Sequence, residues 1–250
     1  MKNHISLFIF AIALLSGPVS ANDLSMTAVK DTLASIPGEH NYIYVRTPLG
    51  EDEEKNYDEI TFYDGLGREL DFAQSYGADR AGAIMAHHHL IEYDSLGRKE
   101  KQWLSTNTSF SYMSPEDLKG GVLWDYHDAG KRSYLQTNYE SSPLNRITEQ
   151  YGVGDAWGDH PARMEYLTNI PADSLRCSFY FIDDNDSLIR RGDYRSGELQ
   201  VTKATDEDGK PTYTFVDKQG RTLLTRLGRG NQQADTYFVF DRFGRIRYVL

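Results

Sequence analysis

Apolar and polar positions along this chain sort into short runs rich in β-branched and aromatic residues, each bounded by clusters of Gly, Pro, Asn or Asp. Asn41-Tyr42-Ile43-Tyr44-Val45-Arg46-Thr47 is the first clear strand, closed by Pro48-Leu49-Gly50; Glu59-Ile60-Thr61-Phe62-Tyr63 returns from a charged loop tip, Glu51-Asp52-Glu53-Glu54-Lys55. Strands are predicted over Glu69 to Gln74, from His87 to Tyr93, over Lys99 to Leu104 and over Ala162 to Asn169. The Gly- and Ala-containing stretch between Ser75 and Met85 reads as a flexible insertion in a long hairpin. From Leu175 the pattern predicts an uninterrupted meander through Ser178 to Ile182, Gly197 to Thr205 and Tyr213 to Val216, ending on Tyr248-Val249-Leu250. That last strand is apolar and uncapped, so a further stretch of chain or another element is expected to pair with it.

One segment breaks the period. Ser114 as a cap, Pro115 in the first turn and the acids Glu116 and Asp117 predict a helix to about Tyr126. Leu24, Val29 and Leu33 mark one side of a short helix, or belong to a frayed terminus. The expected fold is all-β: an antiparallel hairpin meander forming an open or partly wound sheet, with one short helix. Residues 22–40 are expected to be poorly ordered, 41–170 to form a leading β-rich domain, and 171–250 to carry hairpin repeats that look truncated.

The runs are joined by a recurring string. Phe62-Tyr63-Asp64-Gly65-Leu66-Gly67-Arg68 returns as Tyr93-Asp94-Ser95-Leu96-Gly97-Arg98 and as Phe240-Asp241-Arg242-Phe243-Gly244-Arg245, and without its ring as Val216-Asp217-Lys218-Gln219-Gly220-Arg221. Chance would supply about 0.1 copies of Asp-x-x-Gly-Arg in a chain of this length. Asp at the first position and Gly at the fourth specify a type I turn, with the carboxylate accepting from backbone N–H groups ahead of it and the Gly left-handed, closing a hairpin. Ser142-Pro143-Leu144-Asn145-Arg146 preserves that chemistry with other letters: Ser142 for Asp, and Asn145 for Gly as the residue next most tolerant of a left-handed backbone. The aromatic ends one strand and the Arg begins the next, so the two are expected near each other across the pair, ring under guanidinium.

Charge and composition narrow the classes. Lys2 and His4, an apolar run from Ile5 to Leu15 and the small residues Val19-Ser20-Ala21 read as a signal peptide over 1–21 and place the protein outside the cell or on its surface. Cleavage after Ala21 removes only Lys2 among the charges and takes the net charge from −10 to −11. That sign argues against nucleic acid or an anionic membrane as partner, and no later apolar run reaches spanning length. Cys177 is the only cysteine, read as a buried small residue of a strand.

Candidate chemistry is sparse. His87-His88-His89 would place His87 and His89 on one side of a strand and His88 on the other, a solvated strand end in preference to a metal site, since two imidazoles need a third ligand. Asp183-Asp184-Asn185-Asp186-Ser187 lacks the glycine and glutamate of a calcium loop and reads as a turn. Gly228-Arg229-Gly230 and Gly152-Val153-Gly154 are fragments of Gly-rich loops with nothing nearby to make a nucleotide site. The acids sit mostly at turn positions, which singles out no glycosidase pair. Rings left on a strand face make platforms for sugars or apolar partners, with Trp103, Trp124 and Trp157 as candidates. No catalytic, metal-binding or cofactor-binding residue is expected; the marked positions Asp64, Gly67, Arg68, Asp94, Gly97, Arg98, Ser142, Asn145, Arg146, Asp217, Gly220, Arg221, Asp241, Gly244 and Arg245 are structural turns.

These turns resemble the YD repeats of RHS-type bacterial proteins, whose unit is built on Tyr-Asp-x-x-Gly-Arg. Asn41 to Leu49, Phe62 to Arg68, Ile91 to Arg98, Ser142 to Gln150 and Asp235 to Leu250 are similar, in that order, to the uncharacterised secreted domain preceding such repeats in many Gram-negative RHS proteins. In that family the repeats wind into a β-strip that closes as a hollow shell around a C-terminal effector, often a toxin, or serve as a surface adhesin. The resemblance implies a secreted structural segment of such a shell or filament, with further repeats or an effector as partner, and no catalytic residues. The chain lacks the long repeat array and the C-terminal core segment of that family, so autoproteolysis and effector activity do not carry over. A carbohydrate-binding or adhesin module is the alternative, and a hydrolase the remote one.

Overall fold

The computed structural model describes residues 29, 32–34, 36, 38, 40–48, 56–78, 83–228 and 233–250. The leader 1–21, Leu24, the charged run 51–55, and residues 79–82 and 229–232 lie outside them. Among the described residues sixteen strands follow in order: β1 Asn41–Pro48, β2 Asn56–Tyr63, β3 Glu69–Ala78, β4 Ile84–Tyr93, β5 Lys99–Trp103, β6 Thr106–Ser109, β7 Tyr134–Tyr139, β8 Ile147–Tyr151, β9 Ala162–Thr168, β10 Ser178–Ile182, β11 Leu188–Asp193, β12 Gln200–Thr205, β13 Pro211–Val216, β14 Thr222–Leu227, β15 Ala234–Phe240 and β16 Ile246–Val249. The helix α1 spans Pro115–Asp125. The protein is an antiparallel meander, as the strand-length runs predict, paired in the order β1-β2-β3-β4-β5-β7-β8-β9-β12-β13-β14-β15-β16 with β6 beside β4.

Two compact units divide the chain: residues up to Leu90 with Ser105–Val122, and Ile91–Leu104 with Leu123–Leu250. In the first, β2 alternates buried and half-buried residues along its whole length, as a strand with one wet face must. Ile60 and Phe62 of β2, Ala73 of β3, Ile84 and Ala86 of β4 and Phe110 form its core. Val29 is helical and completely buried against them, and Leu33 is helical and packed on the same cluster. The same buried face carries charge. Asp58 is inaccessible and accepts from the Tyr44 hydroxyl at 2.6 Å and from Arg46 Nε at 2.7 Å. Such a charge is tolerated only when its lone pairs are used. Burial and the Asp58 carboxylate raise the Tyr44 phenol to about 12.

The expected insertion between Ser75 and Met85 is corrected at both ends: β3 continues to Ala78 and β4 starts at Ile84, with Gly77 opposite Met85 across an irregularity. The helix meets its expectation. Ser114 Oγ accepts the Asp117 N–H at 3.1 Å, and Leu118 and Val122 are buried.

The second unit packs Leu199, Val201, Tyr213, Phe215, Leu223 and Leu224 with Cys177. Its meander is not uninterrupted. β9 pairs with β12 (Leu167 opposite Val201), and β10 pairs only with β11. Asn169 closes the detour: fully buried, it accepts the Leu199 N–H through Oδ1 at 2.8 Å and donates Nδ2 to the Arg195 carbonyl at 2.8 Å. Arg226 then ties the start of the β10–β11 hairpin to the sheet. It is bidentate to Asp235 and gives one nitrogen to the carbonyls of Ser174 and Arg176, both at 2.9 Å.

Candidate functional site

The repeated turn is built the same way each time. Asp94 Oδ1 accepts the N–H groups of Leu96 and Arg98, its carbonyl accepts the Gly97 N–H, and its N–H donates to the Arg98 carbonyl. Gly97 sits at φ 80°, where any other L-residue except Asn or Asp is strained. The remaining oxygen, Oδ2, takes Arg98 Nε at 2.7 Å. Asp64, Asp217 and Asp241 reproduce this circuit with Arg68, Arg221 and Arg245, and Gly67, Gly220 and Gly244 have φ of 75–80°. Every marked residue of the four turns is therefore occupied in closing a hairpin.

Hydrogen bonding favours the charged form of Asp64, Asp94 and Asp241. Asp64 and Asp241 lie below the ordinary range chiefly because the backbone N–H of Arg68 or Arg245 donates to them. For Asp94 burial is the largest single influence and pushes upward, but the bonds from Arg98 and Leu96 together prevail and lower it.

Ser142 behaves as its chemistry predicts, accepting the Leu144 N–H on Oγ, while Asn145 adopts φ 54°. A serine cannot hold the arginine, and Glu140 takes that part: Arg146 Nε and Nη2 reach its two oxygens at 2.8 and 2.7 Å. That pairing, with Ser142 donating to it as well, drops the Glu140 carboxyl to about 2. Glu140 precedes the turn and carries no motif letter. Two further turns share the backbone circuit without the arginine: Asp183 accepts from Asn185 and Ser187 with Asp186 left-handed, and Asp206 accepts from Lys210.

The position of the rings corrects the expectation of a contact across the arginine's own hairpin. The ring under Arg98 is Tyr139, at 4.6 Å, under Arg146 it is Tyr166, at 4.5 Å, and under Arg221 it is Phe240, at 5.0 Å. All three rings belong to the neighbouring strand. Lys101 faces Gln136, Glu149 faces Arg163 and Leu224 faces Tyr237; counting three residues along from each pair puts the arginine opposite its ring every time. Each arginine thus closes its own turn with Nε and lays its plane on the adjoining strand.

The other candidates dissolve into structure. His88 is no solvated strand end: it is buried, with Nδ1 2.6 Å from Asp71 Oδ2 and Nε2 2.9 Å from the Ser109 carbonyl. His87 stacks on Tyr76 and bonds Asn107, and burial lowers the pKa of His89. Among the described residues no three His, Cys, Asp or Glu side chains converge as metal ligands. Cys177 precedes β10 instead of lying within it, and burial pushes its thiol up to about 12, which removes it as a nucleophile near neutrality. Trp103 is packed on Tyr134 and donates Nε1 to Glu92. Trp124 is 84% exposed and Trp157 46%. A groove of about 440 Å³ opens between β10 and β15, lined by Phe179, Phe181, Tyr194, Tyr237, Arg221 and Asp241.

No helix among the described residues is long and apolar enough to cross a membrane. No curated protein matches the chain. One family model does match, over residues 41–168, which is the stretch from the first residue of β1 to the last of β9 and half the sequence. The chain belongs to the family described as a domain of unknown function, DUF6443.

Proposed function

We propose that this protein is a secreted structural segment of an RHS/YD-repeat shell or surface filament, scaffolding or enclosing an effector carried elsewhere. The observation that carries the reading is the interlock of arginine and ring. Asp and Gly of the turns are consumed in closing hairpins, and Arg98, Arg146 and Arg221 also join theirs to the next strand, which suits a load-bearing wall. The role is mechanical and associative. Following the reading frame and its neighbours past Leu250 tests it: further Tyr-Asp-x-x-Gly-Arg units with an effector segment are the expected result, and a free-standing chain with neither would overturn it.

A second reading, a carbohydrate-binding or adhesin module, is favoured by the exposed Trp124 and Trp157 and by the aromatic groove beside β10. A glycan array separates it, since binding lost in Trp157→Ala or Tyr237→Ala would assign the surface to sugars.

A further inference from the structure

Of Arg98, Arg146, Arg221 and Arg245, one is in a different condition from the others. Arg98, Arg146 and Arg221 each lie over a ring of the adjoining strand, and their side chains are 15%, 40% and 35% exposed. Arg245 closes its turn on Asp241 in the same way, yet its side chain is 67% exposed and the ring beneath it is Phe243, from its own turn. The strand it begins, β16, is last in the hydrogen-bonded order. Tyr237 and Leu250 exchange both backbone bonds, so the alternation of an antiparallel ladder turns the N–H and C=O of Val249 away from β15. Ile246, Val249 and Leu250 are all 45% exposed or more. β16 therefore presents an open edge, apolar side chains and a guanidinium plane, which is the surface that β14 offers to β15.

We infer that β16 is an acceptor edge for the strand of a further hairpin of the same repeat, which enters antiparallel with an aromatic residue directly opposite Arg245. The template is inside the molecule. β14 begins after Arg221 and receives β15, whose Phe240 stands opposite that arginine. The arginine acts as a register gauge. A slip of one residue would carry the ring to the other face of the sheet and leave the guanidinium uncovered. The inference deepens the scaffold reading and rests on it only for the source of the occupying strand.

The test extends the full chain after Leu250 with a second copy of residues 227–250, which sets the copied Phe240 at the register position of Arg245. Amide exchange at Val249 is expected to slow by about tenfold or more in the extended chain. About two- to fivefold of that protection should disappear with Phe240→Ala in the appended copy, and Arg245→Ala should add nothing further once the ring is gone. Unchanged exchange at Val249 overturns the acceptor edge. Protection indifferent to both substitutions overturns the register gauge while leaving the scaffold reading intact. Dimerisation of the unextended chain, with protection of the same amide, assigns the edge to a second copy and also overturns the proposal.

Discussion

The turn at Asp94 and the turn at Asp183 run the same backbone circuit and lead to different fates. Each carboxylate accepts N–H groups two and four residues ahead, and each turn has a left-handed fourth residue, Gly97 or Asp186. The fifth residue differs: Arg98 reaches Tyr139 and the Glu140 carbonyl on the adjoining strand, whereas Ser187 reaches no neighbour beyond its turn. The first hairpin is continued by β7, and the second pairs only with itself. Closing a hairpin and enrolling it in the meander are thus separate tasks, done by separate residues.

The Asp183 hairpin is held by other means: Arg247 and Tyr248 reach Asp186, the Tyr237 hydroxyl accepts the Ser178 N–H, and Arg226 ties down the segment just before β10. Buried at 4% exposure, Arg226 links Asp235 to the carbonyls of Ser174 and Arg176. Arg226→Ala leaves a carboxylate and two carbonyls without their donor, and should cost about 3–5 kcal/mol in urea unfolding. Exchange of amides in 174–195 should speed in step. A loss near zero would mean that the hairpin is anchored by its other contacts alone.

Removing the turn carboxylates sharpens the comparison at a smaller scale. Asp94→Ala and Asp183→Ala each withdraw an acceptor from two N–H groups, an effect like that of losing a helix cap, about 1–2 kcal/mol. Asp94→Ala should be the costlier because Arg98 also loses its partner. Equal losses would show that the Asp94–Arg98 ion pair adds nothing beyond the turn. The fourth position should respond with opposite signs: Asp186→Gly relieves a left-handed aspartate but gives up its exposed ion pair with Arg247, for a net gain below ~1 kcal/mol, while Gly97→Ala loses about 1 kcal/mol. Thermal melts of the two variants read both directions.

What was legible in the sequence follows the same division. Asp and Gly encode φ, ψ and bonds within five residues, so the turns at Asp64, Asp94, Asp217 and Asp241 could be read from their letters, and that at Ser142 from its chemistry. The ring under each arginine could not, because it is set by strand pairing: Arg98 and Tyr139 lie 41 positions apart and meet only through the β5–β7 register. Glu140 escaped for a related reason, since the acid that serves Arg146 stands two residues before the turn proper. The detour of β10 and β11 had no local signal either. It depends on Asn169 reaching the Leu199 N–H, thirty residues on, and an isolated Asn in a sequence announces nothing of the kind. His88 was misjudged because its strand-end position was weighed without the β3 neighbour, Asp71, that makes its burial possible.

A smaller effect still is the ring contact. Arg98→Ala should cost about 0.5–1 kcal/mol from the lost cation–π contact, plus about as much for each of the bonds to Glu140 and Asp94, and a double-mutant cycle with Tyr139→Ala should recover the first part as coupling. Ser187→Arg, by contrast, should gain nothing, because β11 has no adjoining strand on which a guanidinium could lie. A stabilised Ser187→Arg variant would break the claim that the arginine works between hairpins.

The smallest effect is the response of the joints to acid, and its sign follows from Glu140. Arg146 above all, then Ser142, holds this carboxyl at about 2, against an ordinary 4.5. A folded pKa below the unfolded one means that the stabilisation is fully present above about pH 4.5 and is lost as pH falls through about 2. Asp64, Asp94 and Asp241 shift the same way, so acid should loosen these three turns along with that of Glu140. Carboxyl NMR should give a Glu140 midpoint near 2 that returns toward 4.5 in Arg146→Ala. If it stays low in that variant, the Ser142 hydroxyl holds the charge, and the arginine is left with the ring of Tyr166 as its one structural task.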